Sequence, residues 1–122
     1  MNKLFVYGTL KKGHSNHDRF LSHAKYLGEG TTTRDIWALY DLGFFPAMTH
    51  GNMQVTGEVY EVSDYELGKI DMLEGAPDLY ERHMIVIDVD GEEHHCHTYL
   101  MFGYEFAAGR YGKPMPKWKW EL

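Results

Sequence analysis

The sequence is poor in cysteine, in basic charge and in long hydrophobic runs, and each shortage excludes something. One cysteine, Cys96, in 122 residues leaves no internal disulfide and fits a reducing compartment. Twelve Lys and Arg against eighteen Asp and Glu give a net charge of −6, so no nucleic-acid partner is expected. Neutralising a phosphate backbone needs a density of basic residues that is missing here. Apolar runs reach only about four residues, as at Met84-Ile85-Val86-Ile87, so neither a transmembrane helix nor a membrane partner is expected. Met1-Asn2-Lys3-Leu4-Phe5 opens no long apolar region and leads to no small-residue cleavage site. No signal peptide is expected, and the location that follows is cytoplasmic.

What is present describes one soluble domain over residues 1–122, with 43% hydrophobic and 25% charged residues. Aromatic residues reach 15%, nine of them Tyr, enough to fill a core and also to line a pocket. The charge is uneven: the tail 103–122 carries +2 and the rest of the chain −8. No repeat, low-complexity tract or interdomain linker interrupts the sequence.

Lys3 to Tyr7 reads as a short buried strand broken at Gly8-Thr9-Leu10. A helix follows, capped by Ser15 or Asn16, with Phe20, Leu21 and Ala24 as its apolar side. Lys25 to Tyr40 suits a strand bent at Gly28 and Gly30, and Asp41 to Pro46 a loop. Gln54 to Val62 alternates as a strand. Ser63-Asp64-Tyr65-Glu66 is a capping box that starts a helix through Leu67, Ile70 and Leu73, ended by Gly75 and Pro77. Tyr80–Asp90 and Glu92–Phe102 are strands joined by Asp90-Gly91, a hairpin signal. The predicted class is α+β, with strands dominant and the sheet closed or strongly curled.

Two places break these patterns. Glu74 lies four residues after Ile70 and seven after Leu67, on the apolar stripe of its helix. It also sits in the last turn, where the helix dipole disfavours negative charge. Either the helix frays at Gly75 and Glu74 points to water, or the carboxyl is buried, its pKa raised, and it is a general-base candidate. Tyr7-Gly8-Thr9-Leu10 is the second place. A strand ending in Tyr-Gly is either a plain turn or a bend whose successive N–H groups can hold a carboxylate.

Together these residues resemble the γ-glutamylcyclotransferase-like family. Val6-Tyr7-Gly8-Thr9-Leu10-Lys11-Lys12-Gly13 with Asn16-His17 is similar to the family's Tyr-Gly-(Thr/Ser)-Leu signature and its continuation. Leu42-Gly43-Phe44-Phe45-Pro46 resembles the family's Gly-aromatic-Pro loop. Gly57-Glu58-Val59-Tyr60, Asp71-Met72-Leu73-Glu74-Gly75 and Tyr80-Glu81-Arg82 complete a match running from about residue 4 to residue 102. The form is nearest the γ-glutamylamine cyclotransferase and small bacterial branch. The resemblance implies a mixed, mostly antiparallel sheet curled into a small closed barrel with flanking helices and a pocket at its mouth. It implies Glu74 as the catalytic acid/base, and Tyr7, Gly8, Thr9 and Leu10 as a substrate-binding loop acting through backbone groups. Phe45 and Tyr80 are expected as pocket walls, although Tyr80 equally suits a core ring. The implied reaction turns a γ-glutamyl group into 5-oxoproline and releases an amine or amino acid, with no metal or other cofactor. The expected partner is a small γ-glutamyl molecule, and monomer and homodimer both stay open.

Other chemistry-bearing residues weigh less. His94-His95-Cys96-His97 looks like a metal cluster, but on a strand only two of the four share a face, and zinc needs three or four ligands. His17 fits a support for the loop near the pocket, and Arg82 a partner for Asp71 or Asp78. Trp118 and Trp120 share one face of an extended tail expected to pack on its own domain. Fold does not dictate function, so a non-catalytic binding module with the same pocket is the alternative reading.

Overall fold

The computed structural model describes residues 1–42, 45–76 and 78–102 and the backbone of 113–114. Leu4, Phe5, Val6 and Tyr7 are all buried, on two different faces. Successive side chains of a strand point to opposite sides, so β1 (Asn2–Val6) feeds two clusters at once. Phe5 and Tyr7 join Val59, Ile87, Val89 and Cys96 in one cluster, while Leu4 and Val6 join Tyr60, Val62, Leu67 and Ile70 in the other. The first cluster fills a closed barrel and the second lies under the helices.

The barrel is a ring of β1, β5 (Thr56–Val62), β2 (Lys25–Thr32), β6 (Glu81–Val89) and β7 (Glu92–Leu100), in that order. β1 runs antiparallel to β5 and parallel to β7, where Leu4 meets His97, and this last pairing shuts the ring. The expected α+β class and small mixed barrel are thus present. Asp90 and Gly91 both take positive φ, 52° and 84°, as a two-residue hairpin turn between β6 and β7 requires.

The expected single strand from Lys25 to Tyr40 is in fact two. The bend is there, since β2 slips register between Tyr26 and Gly28 against β5. The strand then ends at Thr32, whose side chain accepts from Val55 N–H at 2.9 Å and donates to the Arg34 carbonyl at 3.2 Å. These bonds turn the chain, and β3 (Trp37–Asp41) starts a separate sheet with β4 (Pro46–His50) and β8 (Lys113–Pro114). The loop expected from Asp41 to Pro46 is correspondingly shorter. Pro46 opens β4, the strand position where a missing N–H is tolerated. Gly43, Phe44 and the rest of the tail, including Trp118 and Trp120, lie outside the described residues.

The first helix, α1 (His17–Leu21), is short, and Asn16 stands at its N-cap without capping it. Its side-chain amide donates to Thr9 Oγ1 at 2.9 Å, tying the loop instead of the helix. The second, α2 (Asp64–Glu74), begins as its capping box predicts: Glu66 N–H donates to Ser63 Oγ, and Ser63 N–H to Glu66 Oε1. It buries Leu67 and Ile70 against the barrel and stops at Gly75, which is left-handed at φ 65°. No helix among the described residues is long and apolar enough to cross a membrane.

Candidate active site

The phase of α2 decides where Glu74 goes. Its cap starts the helix at Asp64, Ile70 faces the core, and four residues later Glu74 follows on the same side. Gly75 and Ala76 return their N–H groups to the Met72 and Asp71 carbonyls at 3.2 and 3.0 Å, so the chain turns away. Glu74 is left half-buried in the wall of a cavity of ≈ 170 Å³ at the end of β1. Burial pushes its carboxyl up from the usual range to about 7. Of the two environments open to Glu74 in the sequence, the structure selects the buried one.

The cavity brings together the residues expected as acid/base, substrate loop and walls. Tyr7, Gly8, Thr9, Leu10, Phe45, Glu74 and Tyr80 all line it. Asn16, Pro46, Leu73, Leu79 and Tyr99 also line it and were missed. Tyr99 had a readable signal. Counting back from the Asp90-Gly91 turn pairs Arg82 with Tyr99, which puts this tyrosine beside the Tyr80-Glu81-Arg82 motif.

Three tyrosines surround Glu74, and its negative charge helps raise the pKa of each. All three hydroxyls are engaged elsewhere. Tyr7 donates to the Tyr99 carbonyl at 2.6 Å and accepts from Met48 N–H at 3.2 Å. Tyr80 donates to the Pro46 carbonyl at 2.8 Å, and Tyr99 to Asp71 Oδ1 at 2.5 Å. Among the described residues no group donates a hydrogen bond to the Glu74 carboxyl, and burial alone moves its titration. The rings are walls, and the carboxylate is left available to whatever enters.

In the same cavity, the turn after β1 is held in place by hydrogen bonds to its carbonyls. Asn16 N–H reaches the Thr9 carbonyl at 2.9 Å, and Lys11 N–H the Gly8 carbonyl at 3.0 Å. His17 Nδ1–H donates to the Leu10 carbonyl at 2.9 Å, and Lys12 N–H to Glu58 Oε1 at 2.8 Å. His17 therefore supports the loop, as expected. The carbonyls of this turn are used, whereas the N–H groups of Gly8, Thr9 and Leu10 have no partner among the described residues. Such a set of free N–H groups suits an anion.

The remaining candidates fall elsewhere. Arg82 pairs with Asp71 at 2.8 Å and donates to His97 Nδ1 at 3.0 Å. Cys96 is buried, and burial pushes its thiol up to about 11, unsuited to a nucleophile. No group of three or more His, Cys, Asp or Glu among the described residues is placed to hold a metal.

A closed five-stranded barrel whose cavity is lined by a buried carboxyl and a tight Tyr-Gly turn defines a class, and the family model described as "Gamma-glutamyl cyclotransferase, AIG2-like" matches residues 4–121. The chain belongs to that family, and the match takes in the tail for which the sequence resemblance offered no counterpart. A Vibrio cholerae relative, provisionally named a gamma-glutamylcyclotransferase, is 45% identical over 82 residues, covering 67% of this chain and 70% of its own. The mouse gamma-glutamylaminecyclotransferase is 35% identical over 104 residues, or 73% of this chain and 65% of that one. Among solved structures, a mouse AIG2-like protein superposes with a TM-score of 0.75 at 28% identity, covering 96% of this chain and 98% of its own.

Proposed function

We propose that the chain is a cofactor-independent γ-glutamyl cyclotransferase in which Glu74 is the general acid/base. The observation that carries this reading is the position of Glu74: half-buried, pushed up by burial to about 7, and in one cavity with the Gly8–Leu10 turn, whose N–H groups have no partner among the described residues. A γ-glutamyl compound enters with its α-carboxylate against those N–H groups. That contact folds the γ-glutamyl arm so that the α-amine lies near its own γ-carbonyl.

The ammonium gives a proton to the Glu74 carboxylate, and the freed amine attacks the γ-carbonyl carbon. A C–N bond forms, and the bond from that carbon to the leaving nitrogen breaks. Glu74 returns the proton to the leaving nitrogen, then takes the second proton from the ring nitrogen and passes it to the departing amine, so 5-oxoproline and an ammonium depart with atoms and charge balanced. A pKa near the working pH suits these transfers. The substrate brings its own nucleophile, and well-oriented ring closure can have an effective molarity of about 10⁵ M or more. A small cavity with one titrating group is enough for such a reaction.

The neighbouring walls fit a leaving group with an apolar stem. Phe45, Leu73 and Leu79 are exposed at 38%, 37% and 55% while lining the cavity, so they form its lip. We include γ-glutamylamines and γ-glutamyl amino acids as the substrate class. The test is a panel of γ-glutamyl compounds with 5-oxoproline as the readout, run beside Glu74→Gln. Release by the wild type and its loss in the variant support the reading. Release by the variant at the wild-type rate would overturn the role of Glu74, and tight binding without product would favour a binding module.

A further inference from the structure

Tyr99 reaches the cavity from β7, yet its hydroxyl does not serve the cavity. It donates at 2.5 Å to Asp71 Oδ1, one turn before Glu74 on α2. The same Asp71 oxygen accepts Arg82 Nε at 2.8 Å, and the other side of that guanidinium is held by His97. Arg82 and Tyr99 are paired across the β6–β7 hairpin, so the turn at Asp90-Gly91 delivers both groups to one carboxylate. Glu74, meanwhile, is ringed by three phenols with no hydrogen bond from any described group.

We propose that Asp71 is a positioning residue that draws the Tyr99 hydroxyl away from Glu74 and so keeps the Glu74 carboxyl free of protein donors. This inference rests on the reading of Glu74 as general acid/base. A hydrogen bond donated to a carboxylate favours its charged form and makes it a weaker base. Tyr7 and Tyr80, which face Glu74 from the end of β1 and from the segment before β6, are spent on backbone groups that no side-chain change removes. Tyr99 is the phenol that a single side chain holds back. Arg82 fixes the Asp71 oxygen from the far side, so the acceptor stays where the hydroxyl finds it.

The experiment is a titration of the Glu74 side-chain carboxyl by carbon NMR in protein labelled at glutamate, with the signal assigned by its absence in Glu74→Gln. Four variants are compared with the wild type. Asp71→Ala removes acceptor and charge, and its Glu74 signal should titrate about one pH unit lower. Asp71→Asn keeps an acceptor for Tyr99 but loses the charge, and should titrate close to the wild type. Tyr99→Phe should also titrate close to the wild type, since the hydroxyl it removes does not touch Glu74. Asp71→Ala/Tyr99→Phe should return to the wild-type value.

A wild-type titration in Asp71→Ala would overturn the proposal, as would a double variant still as low as the single one. An Asn variant as low as the Ala variant would overturn it too, because charge rather than the hydroxyl bond would then be responsible. If Asp71→Ala does not fold, Asp71→Leu, which also removes the acceptor, takes its place with the same downward shift expected, and a wild-type titration in it overturns the proposal. None of these readings depends on turnover. Failure of Glu74→Gln to abolish 5-oxoproline release would count against the reaction while leaving the titration result standing.

Discussion

Gly8 lies so close to Pro46 that a Cβ on residue 8 would stand 2.8 Å from the Pro46 Cδ and 2.9 Å from its Cγ. The two residues join different sheets: one follows the barrel strand β1, the other opens β4. Pro46 is also held through its carbonyl by the Tyr80 hydroxyl. The floor of the cavity therefore has no slack at this point. Gly8→Ala must move either the turn or the proline, and overpacking of this kind destabilises by about 1–3 kcal/mol. The expected outcome is a folded protein with a raised KM for γ-glutamyl compounds. Steady-state kinetics beside a thermal melt check it, and an unchanged KM would mean that the turn does not hold substrate.

Glu74 should leave a signature in the rate against pH. A general base works when deprotonated, and the free carboxyl titrates at about 7. The kcat/KM of the wild type is expected to rise with pH up to about 7 and then level off on that limb. Glu74→Gln should lower it by about 10²-fold or more and erase the limb.

The same residue makes a prediction about stability, with the opposite appeal. In the unfolded chain Glu74 releases its proton near 4.5, and in the folded protein near 7, so between these values the native state holds more protons. Stability therefore falls as pH rises through that window. Glu74→Gln has no such dependence. At pH 8 the variant should be more stable than the wild type by an amount of order 2 kcal/mol, and at pH 4 the two should be nearly equal. Denaturant melts at the two pH values check the sign.

Tyr80→Phe separates a wall from a proton donor. Its hydroxyl is committed to the Pro46 carbonyl at 2.8 Å, so losing it should destabilise by about 1–3 kcal/mol while kcat falls less than tenfold. A thousandfold loss of kcat in a folded variant would show that the hydroxyl takes part in the chemistry.

Ser63→Ala tests how far the site depends on the start of α2, eleven residues before Glu74. Removing the cap should destabilise by about 1 kcal/mol and lower Tm by a few degrees. Turnover at a temperature where the variant is folded should stay within a few-fold of wild type, because Ile70 and the Gly75 stop still set the helix phase.

The legible parts of this protein were those fixed by local geometry. Ser63 and Glu66 set where α2 begins, so the face carrying Glu74 could be counted from the sequence. Asp90-Gly91 set the β6–β7 register in the same way. The division between β2 and β3 was illegible because Thr32, which turns the chain, does so through residues far along it, Val55 and Gln54. Pro46 was read as part of a loop because proline discourages strands, but the first residue of a strand escapes that rule. Tyr99 carries no mark in its own neighbourhood; only the register counted back from Asp90-Gly91 sets it beside Arg82. Asn16 kept its expected position and changed its task, giving its side chain to Thr9.

The ring closure described for β1 has a consequence for the order of assembly. β1 precedes every other strand of the ring in sequence and lies between β5 and β7, whose last residue is Leu100. A nascent chain can pair β1 with β5 early, but the barrel cannot shut until β7, Glu92–Leu100, has left the ribosome. Contacts so distant along the chain form slowly. The Tyr7–Leu10 turn waits for Tyr99, about ninety residues further on, so a chain cut before β7 would carry the signature motif without the chamber that gives it meaning.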